Sequence, residues 1–297
     1  MHGFLAARLL SALHRRPVVY HCHDFVSQDS LPWSGGRLVS EFEHRYARTA
    51  DLVIIPDAER AEVVARHLRL VRKPIVVANA PLAWPKAWGR ELENRLLSAC
   101  GTRWARVVFR QGVVGPGHGI ERTIQSIPRW DSTEWGFVVM GACDPHYAEH
   151  LRSLASSLGV HSQLCILPAV GYDQVHQYTV GASIGHALYE PVHINNVYIT
   201  TASNKLMEYM AAGLPVLVSD RPGLRAFVRE YECGLTVDES SAESIAAGVN
   251  ALLGDPDLAR RLGAAGARAF EEELNYERQF EPALDKFRSL SHSLERS

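Results

Sequence analysis

Several features that would assign this chain to a broad class are missing from its sequence. No apolar run approaches the roughly 20 residues that a membrane-spanning helix needs. The net charge is only −2, with 22% charged residues, so we expect no nucleic-acid partner. The cysteines are odd in number, scattered, and never arranged as C-x-x-C; they are Cys22, Cys100, Cys143, Cys165 and Cys233. This usage predicts reduced, mostly buried thiols in a cytoplasmic protein.

Two kinds of cofactor site are also not indicated. The G-x-G-x-x-G fingerprint of dinucleotide-binding proteins follows none of the predicted strands, which argues against an oxidoreductase. His146 and His150 form one H-x-x-x-H pair, but no third metal ligand can be named. The D-x-D sequence Asp255-Pro256-Asp257 is typical of a helix start. We therefore predict no metal site and no bound cofactor.

Short apolar strands alternate with helical segments along most of the 297 residues. The predicted strands are 17–22, 51–56, 74–78, 106–110, 136–140, 163–167, 182–186, 215–219 and 234–237. The predicted helices are 2–15, 35–50, 58–70, 91–100, 119–126, 147–158, 172–178, 204–212, 242–253 and most of 258–290. This alternation predicts an α/β protein with parallel sheets. The Pro- and Trp-rich stretch after Ala80 interrupts the rhythm and indicates a boundary between two domains.

The most informative stretch runs from Ser203 to Val218. Its first half has helical periodicity, with Ser203 placed to cap the helix, and a short apolar strand follows. Asn204, Lys205 and Glu208 lie three and four residues apart, so they share one face of the helix. The free N–H groups at the start of a helix favour an anion, and a carboxylate can accept bonds from two hydroxyls. The alternative is a surface helix with a Lys205–Glu208 ion pair.

The pattern N-K-x-x-E-Y-M-A-x-G-x-P-V, which begins at Asn204, closely resembles that of family 4 glycosyltransferases. The resemblance implies the GT-B architecture, in which two Rossmann-like domains carry parallel sheets; the first is incomplete here. It places a partial first domain at 1–88, a linker at 89–104, a donor-binding domain at 105–275, and a returning C-terminal helix at 276–297. It implies a UDP- or GDP-linked sugar as co-substrate, with Glu208 on the ribose and Asn204 and Lys205 at the diphosphate.

The same resemblance indicates further site residues after other strands. His23 follows the first strand and would act on the donor sugar, since an imidazole can donate a hydrogen bond or transfer a proton. The loop from Gly112 to Gly119 would approach the diphosphate through Gly112, Gly115 and His118. Gly141 would line the same cleft. Tyr172 lies where the base usually packs. His186, Tyr189 and Glu190 could equally be polar tips buried in a packed turn.

Three positions depart from the family pattern. Val113 and His118 stand where many members have an arginine and a lysine, and Thr200 stands where many have the first glutamate of E-x7-E. Threonine can hydrogen-bond a sugar hydroxyl but provides no charge. The β/α units that usually precede the first strand are also absent. The sequence leaves open a truncated reading frame or a naturally reduced protein.

The leading functional hypothesis is therefore a glycosyltransferase, retaining in stereochemistry, that uses a carbohydrate, lipid-linked or small-molecule acceptor. The alternative is a non-catalytic sugar-nucleotide-binding relative; an epimerase or phosphorylase is a third possibility without a matching signature. A basic segment could either contact an anionic membrane at its cytoplasmic face or be merely solvated. It contains Arg60, Arg66, Arg69, Arg72 and Lys73.

Overall fold

A computed structural model describes residues 2–25, 34–83 and 91–295 of the chain. Contacts divide the chain into two compact units. The first comprises Met1–Asn79 together with Tyr276–Ser297, and the second is Ala80–Asn275. Much of the predicted interdomain stretch, residues 84–90, lies outside the described residues. No helix in the described ranges combines the length and the apolarity needed to cross a membrane.

The first unit is built on a parallel sheet, which has three strands within the described residues, in the order β1-β2-β3. These strands are β1 (Val19–His21), β2 (Leu52–Ile55) and β3 (Ile75–Val76). Its helices are α1 (His2–His14), α2 (Ser34–Ala47), α3 (Ala58–His67) and α13 (Tyr276–Glu295). Ala283 of α13 is fully buried against Leu52, Ile54 and Val77, so the C-terminal helix completes the core of this unit.

The predicted basic segment does not form one basic helical face. Helix α3 ends at His67, so Arg69, Arg72 and Lys73 lie beyond it. Arg60 is 1% exposed, and its Nη1 donates to the carbonyl of His23 at 2.7 Å. Arg60 therefore cannot belong to a membrane-facing surface. Membrane contact by the exposed cations stays a prediction.

The second unit contains a parallel sheet, six-stranded within the described residues, in the order β6-β5-β4-β7-β8-β9. The strands are β4 (Arg106–Gln111), β5 (Trp135–Met140), β6 (Leu164–Leu167), β7 (Ile184–Ala187), β8 (Val216–Ser219) and β9 (Gly234–Val237). Most of their apolar side chains are buried, on both faces of the sheet, as expected for a parallel sheet covered by helices. The chain first extends the sheet from β4 to β6 and then continues from the other side of β4. The crevice between β4 and β7 is thus the topological switch point, where open α/β sheets bind ligands.

The helices of the second unit are α4 (Glu91–Cys100), α5 (Ile120–Ser126), α6 (Pro145–Ser157), α7 (Tyr172–Thr179), α8 (Ile194–Val197), α9 (Asn204–Ala211), α10 (Pro222–Tyr231), α11 (Ala242–Gly254) and α12 (Pro256–Ala269). Asp255 accepts hydrogen bonds from the backbone N–H groups of Asp257 and Leu258, so the D-x-D sequence begins helix α12 as predicted. The α/β fold with parallel sheets is confirmed, and each of the nine predicted strands coincides with an observed strand.

Three helical segments differ from the sequence prediction, and the first is the short helix α8, which was not predicted. Helix α10 was not predicted, although Pro222 begins it and Leu224, Phe227 and Val228 form its buried side. The long C-terminal helical pattern is interrupted, because α12 ends at Ala269 and a π-helical turn, Phe270–Leu274, follows it. Asn275 then adopts an extended backbone, and its side-chain amide donates to the carbonyls of Phe270 and Glu271.

The prediction that all cysteines are reduced is wrong for two of them. Cys100 at the end of α4 and Cys165 in β6 form a disulfide, with their Cα atoms 6.2 Å apart. Cys22, Cys143 and Cys233 are free. The 65-residue separation hid this pair, because only the packing of α4 beside β6 brings the two residues together. The argument for a cytoplasmic location from reduced thiols therefore loses its basis.

Candidate functional site

The candidate site of the second unit lies where β4, β7 and helix α9 meet. Strand β4 ends at Gln111 and leads into the loop from Gly112 to Gly119. Strand β7 ends at Ala187, and the residues that follow it approach the same loop: Glu190 Oε1 accepts from the Gly119 N–H at 3.3 Å. The start of α9 lies against the loop as well, since a Cβ at Gly112 would be 3.4 Å from Lys205 Cε. The fold thus brings the predicted loop and the predicted helix together at the switch point.

Two of the predicted glycines are required by the geometry of this edge. Gly112 has a φ of +99°, which favours glycine. Gly141, at the end of β5, packs directly on the carbonyl of Gly112, and a Cβ there would overlap that oxygen. Gly115 differs, because a Cβ at its position would meet nothing within 4 Å. The structure therefore explains glycine at positions 112 and 141 but not at 115.

Helix α9 is capped by Ser203, as predicted. Its side chain accepts from the Leu206 N–H at 3.3 Å and lies 2.6 Å from the Tyr189 hydroxyl. The Lys205 ammonium donates to that same hydroxyl at 3.2 Å. Asn204 is exposed in the first turn of the helix. The start of α9 thus presents backbone N–H groups and one cation beside Gly112, a combination that suits an anion.

Glu208, one turn further along α9, is almost completely buried, with 4% exposure. Its Oε2 accepts from Gln111 Nε2 at 2.5 Å, and Thr179 Oγ1 in turn donates to Gln111 Oε1 at 2.6 Å. Burial raises the pKa of Glu208, although hydrogen bonds from Gln111 and Tyr172 and the charge of Lys205 oppose that shift. Sequence reasoning missed Gln111 and Thr179. The only signal was a glutamine at the end of an otherwise apolar strand.

A cluster of basic side chains surrounds Tyr189 after β7. The guanidinium of Arg110, from β4, lies 5.7 Å from the centre of the Tyr189 ring, and Lys205 Nζ lies 5.3 Å from it. The His118 ring meets the same ring edge-on at 6.1 Å. Burial would raise the pKa of Tyr189, but the charges of Lys205 and Arg110 and the hydrogen bonds from Ser203 and Lys205 outweigh it, so the pKa is lowered. The ring therefore lies in a strongly positive environment.

His118 is held neutral by its surroundings. Burial, followed by the charges of Arg110 and Lys205, lowers its pKa to about 3. Its Nδ1 is buried without a hydrogen-bond partner among the described residues. A neutral imidazole contributes less to an anion site than the lysine that the family pattern would place there.

His186 is fully buried at the end of β7, and its Nε2 lies 2.8 Å from Thr123 Oγ1. Because that hydroxyl donates to the carbonyl of Gly119, it must accept from His186, which assigns the proton to Nε2. Burial and the charge of Arg110 hold the pKa of His186 well below its ordinary value. His186 is therefore a neutral group that supports the loop from below.

The predicted sugar-binding residue Thr200 lies next to the cap of α9. It is buried, and its carbonyl accepts from the Ser203 N–H at 3.3 Å. Tyr172, at the start of α7, is 61% exposed and lies within hydrogen-bonding range of Glu208. Partial burial and the neighbouring Glu208 raise the pKa of Tyr172 to about 12, so its hydroxyl stays protonated.

His23 belongs to the first unit and is exposed just after β1. Its Nδ1 lies 3.2 Å from Asn79 Oδ1, and its ring lies 4.0 Å from that of His21, centre to centre. Arg60 holds the His23 carbonyl from below. These contacts fix the backbone and one ring nitrogen, which leaves Nε2 as the atom available to a ligand.

No group of three or more His, Cys, Asp or Glu residues in the described ranges could hold a metal ion.

Comparison with known families assigns the chain to a protein family. The sequence model of "Glycosyl transferases group 1" matches residues 106–269, which is most of the second unit. The chain belongs to this family of glycosyltransferases. The finer assignment to family 4 stays a prediction.

Two curated proteins are similar over most of the chain. The α-maltose-1-phosphate synthase of Mycolicibacterium smegmatis is 25% identical over 310 aligned positions, which cover 97% of this chain and 76% of the relative. The D-inositol 3-phosphate glycosyltransferase of Streptomyces scabiei is 27% identical over 282 positions, which cover 89% of this chain and 60% of the relative. The chain thus spans between about three fifths and three quarters of these proteins.

Solved structures share the fold. HepE of Anabaena, in complex with UDP and glucose, superposes with a TM-score of 0.74 at 16% identity, covering 96% of this chain and 75% of HepE. WaaG, a glycosyltransferase of lipopolysaccharide biosynthesis, superposes with a TM-score of 0.68 at 15% identity, covering 93% of this chain and 79% of WaaG. These matches confirm the GT-B architecture predicted from the sequence.

Proposed function

We propose that this chain transfers a sugar from a nucleotide-diphosphate sugar to an acceptor, with retention of anomeric configuration. The observation that carries the proposal is the meeting of a buried carboxylate, Glu208, and a cation, Lys205, on one helix at the switch point of the sheet. A carboxylate suits the two ribose hydroxyls. The cation and the free N–H groups of α9 suit the diphosphate.

In this mechanism the second unit binds the donor. Glu208 accepts the ribose hydroxyls, and its position is set by Gln111. Lys205 and the start of α9, including Asn204, stabilise the negative charge that builds on the departing nucleoside diphosphate. The loop at Gly112, Gly115 and His118 and the strand end at Gly141 form the wall of the site. Thr200, which is buried beside the cap of α9, would hydrogen-bond a sugar hydroxyl.

In this proposal, His23 of the first unit is the residue that contacts the donor sugar. Its Nδ1 is engaged by Asn79, so Nε2 would meet the ligand. The ring is exposed at the C-terminal end of a parallel strand, the edge where α/β proteins place ligand-binding groups.

The donor site is tested by thermal unfolding with UDP, GDP, ADP and their sugars. A ligand that binds the native state raises the unfolding midpoint by mass action. We expect a shift with one nucleotide class, lost in Glu208→Ala and retained in Glu230→Ala, which removes an exposed carboxylate from α10 of the same unit. No shift with any nucleotide, in a protein that unfolds cooperatively, would rule out the donor site.

A second candidate function, a non-catalytic nucleotide-sugar-binding protein, is favoured by specific observations. Val113 is 64% exposed and apolar, His118 is neutral, and Thr200 provides no charge. An assay for turnover of whichever donor binds separates the two functions. Nuclear magnetic resonance then determines the anomeric configuration of the product.

The names of both curated relatives contain a phosphorylated small molecule. The set of acceptors tested for turnover therefore includes phosphorylated sugars and polyols beside lipid-linked and unphosphorylated acceptors.

A further inference from the structure

Arg110 occupies an unusual position for an arginine. It lies within β4, two residues before Gly112, with 0% exposure, among strand residues that are otherwise mostly apolar. Buried guanidinium groups in proteins are normally paired with a carboxylate or fully hydrogen-bonded. A charge in such a place therefore needs an explanation.

The described residues do not satisfy this charge. Nη1 of Arg110 reaches the carbonyl of Leu188 at 3.5 Å, while Nε and Nη2 have no hydrogen-bond partner in the described part of the chain. No carboxylate there forms an ion pair with Arg110. The acidic groups that act on it are the hydroxyls of Tyr189, Tyr209 and Tyr147, and burial raises the pKa of the last two, so those two provide no negative charge at neutral pH. Burial accordingly lowers the pKa of Arg110, which indicates a cation without its counter-ion.

The unpaired cation lies beside the candidate donor site. Arg110 and Lys205 both contact the ring of Tyr189, and Lys205 lies against Gly112. The charges of Arg110 and Lys205 both depress the pKa of His118, the loop residue. The two cations therefore act on the same small volume at the end of β4.

We propose that Arg110 is the buried counter-charge for the diphosphate of the nucleotide, acting from the strand beneath the loop. The proposal rests on the donor site proposed above. It adds to that site the residue that makes binding depend on the negative charge of the ligand. The exposed loop position 113 carries valine, so the main positive charges at this edge come from Arg110 and Lys205. In a water-poor interior, a charge acts on an anion several ångströms away far more strongly than in water. Arg110 is thus a positioning residue. It acts on the ligand through the electrostatic field of its guanidinium and through its contact with the Tyr189 ring.

The test compares four proteins by calorimetric titration with UDP and UMP, with GDP/GMP and ADP/AMP in parallel. The variants are Arg110→Met, Arg110→Lys and Arg106→Met, which removes an exposed arginine from the same strand. Inorganic phosphate and pyrophosphate are titrated as well, to separate a nucleotide site from a general anion site. The unfolding midpoint of each free protein is measured alongside.

We expect Arg110→Met to weaken diphosphate binding by about tenfold or more, as for a lost interaction with a charged group, and to weaken monophosphate binding clearly less. Arg110→Lys should restore part of the difference, and Arg106→Met should match the wild type. The free Arg110→Met protein should unfold at the same or a higher temperature, because an unpaired buried charge has been removed.

Equal losses for diphosphate and monophosphate together with a lower midpoint would assign Arg110 a purely structural role and overturn the proposal. Unchanged diphosphate affinity in a folded Arg110→Met protein would overturn it too. Tight binding of pyrophosphate alone, independent of the nucleoside, would replace it with a general anion site. If the wild type binds no nucleotide, the donor site itself fails, and the two failures are thereby distinguished.

Discussion

Gln111 Nε2 donates to Glu208 Oε2 at 2.5 Å, across 97 positions of sequence, and this bond joins strand β4 to helix α9. Thr179 donates to the other end of the Gln111 amide, so its orientation is fixed. The backbone N–H of Gln111 also donates to the Tyr209 hydroxyl at 3.1 Å. One glutamine thus sets the position of the carboxylate on which the proposed donor site depends.

Replacing Gln111 by leucine should cost about 1–3 kcal/mol of unfolding free energy. Buried Glu208 and Thr179 each lose one hydrogen bond, and within the described residues they keep only the bonds to Tyr172 and to the Val175 carbonyl. Urea unfolding measures this change. Thr179→Val is the matched control: it removes one of the two bonds and should cost about 1 kcal/mol. If Gln111→Leu were as stable as the wild type, the hydrogen-bonded arrangement described here would be wrong.

Glu208→Gln separates binding from stability. Burial raises the pKa of Glu208 in the folded protein, so folding favours the protonated carboxyl. A raised pKa contributes stability that is fully present below the unfolded value, 4.5, and is lost as the pH rises through the folded value. Above the folded-state pKa, the ionised carboxylate therefore gives the folded protein no stability advantage over a neutral amide. We expect the free Glu208→Gln protein to unfold at the same or a higher temperature than the wild type, while nucleotide binding is lost.

The difference in unfolding temperature between the Glu208→Gln protein and the wild type should shrink as the pH falls towards 4.5, because the wild-type carboxyl is then protonated and neutral. Thermal unfolding between pH 4 and 8 measures the trend. A lower midpoint of the variant at pH 7, with the same difference at every pH, would contradict a desolvated carboxylate.

The residues of the site differ in how far the sequence could reveal them. Lys205 and Glu208 were found because their spacing on a helix, its cap and the motif all agree. The alternation of apolar strands and helices predicted the parallel sheet of the second unit, but it did not predict the order of the strands. Arg110 and Gln111 were not found, because a polar residue in a strand says nothing about its partners. Those partners, Tyr189 and Glu208, lie 79 and 97 positions away in the sequence.

Lys205 and His118 should contribute unequally to diphosphate binding. Lys205 is a cation, whereas burial and neighbouring cations keep the pKa of His118 at about 3, so it is neutral at pH 7. Lys205→Gln should weaken binding by about tenfold or more, since hydrogen bonds to charged groups contribute about 1.5–3 kcal/mol. His118→Gln should weaken it by a few-fold at most. Titration calorimetry of both variants at pH 7 measures the contrast, and a larger loss for His118→Gln would show that the bound state charges the imidazole.

The glycines at the strand ends provide a matched pair of substitutions. Gly141→Ala forces a Cβ onto the carbonyl of Gly112, so the end of β5 or the loop after β4 must move. We expect a loss of about 1–3 kcal/mol in unfolding free energy, typical of overpacking, and weaker nucleotide binding. Gly115→Ala meets nothing within 4 Å and should change stability by less than about 0.5 kcal/mol. Equal stability of the two variants would contradict the close approach of the two strand ends.

Reduction of the Cys100–Cys165 disulfide should lower stability without unfolding the second unit's sheet. The bond closes a loop of 65 residues, for which the chain-entropy account gives about 4 kcal/mol. Cys100→Ser should reproduce the effect of the reductant on the unfolding midpoint and should no longer respond to it. Cys143→Ser, which removes a free thiol, should keep the full response. Alkylation of the denatured, unreduced protein should label three of the five cysteines; labelling of all five would show that the pair is reduced.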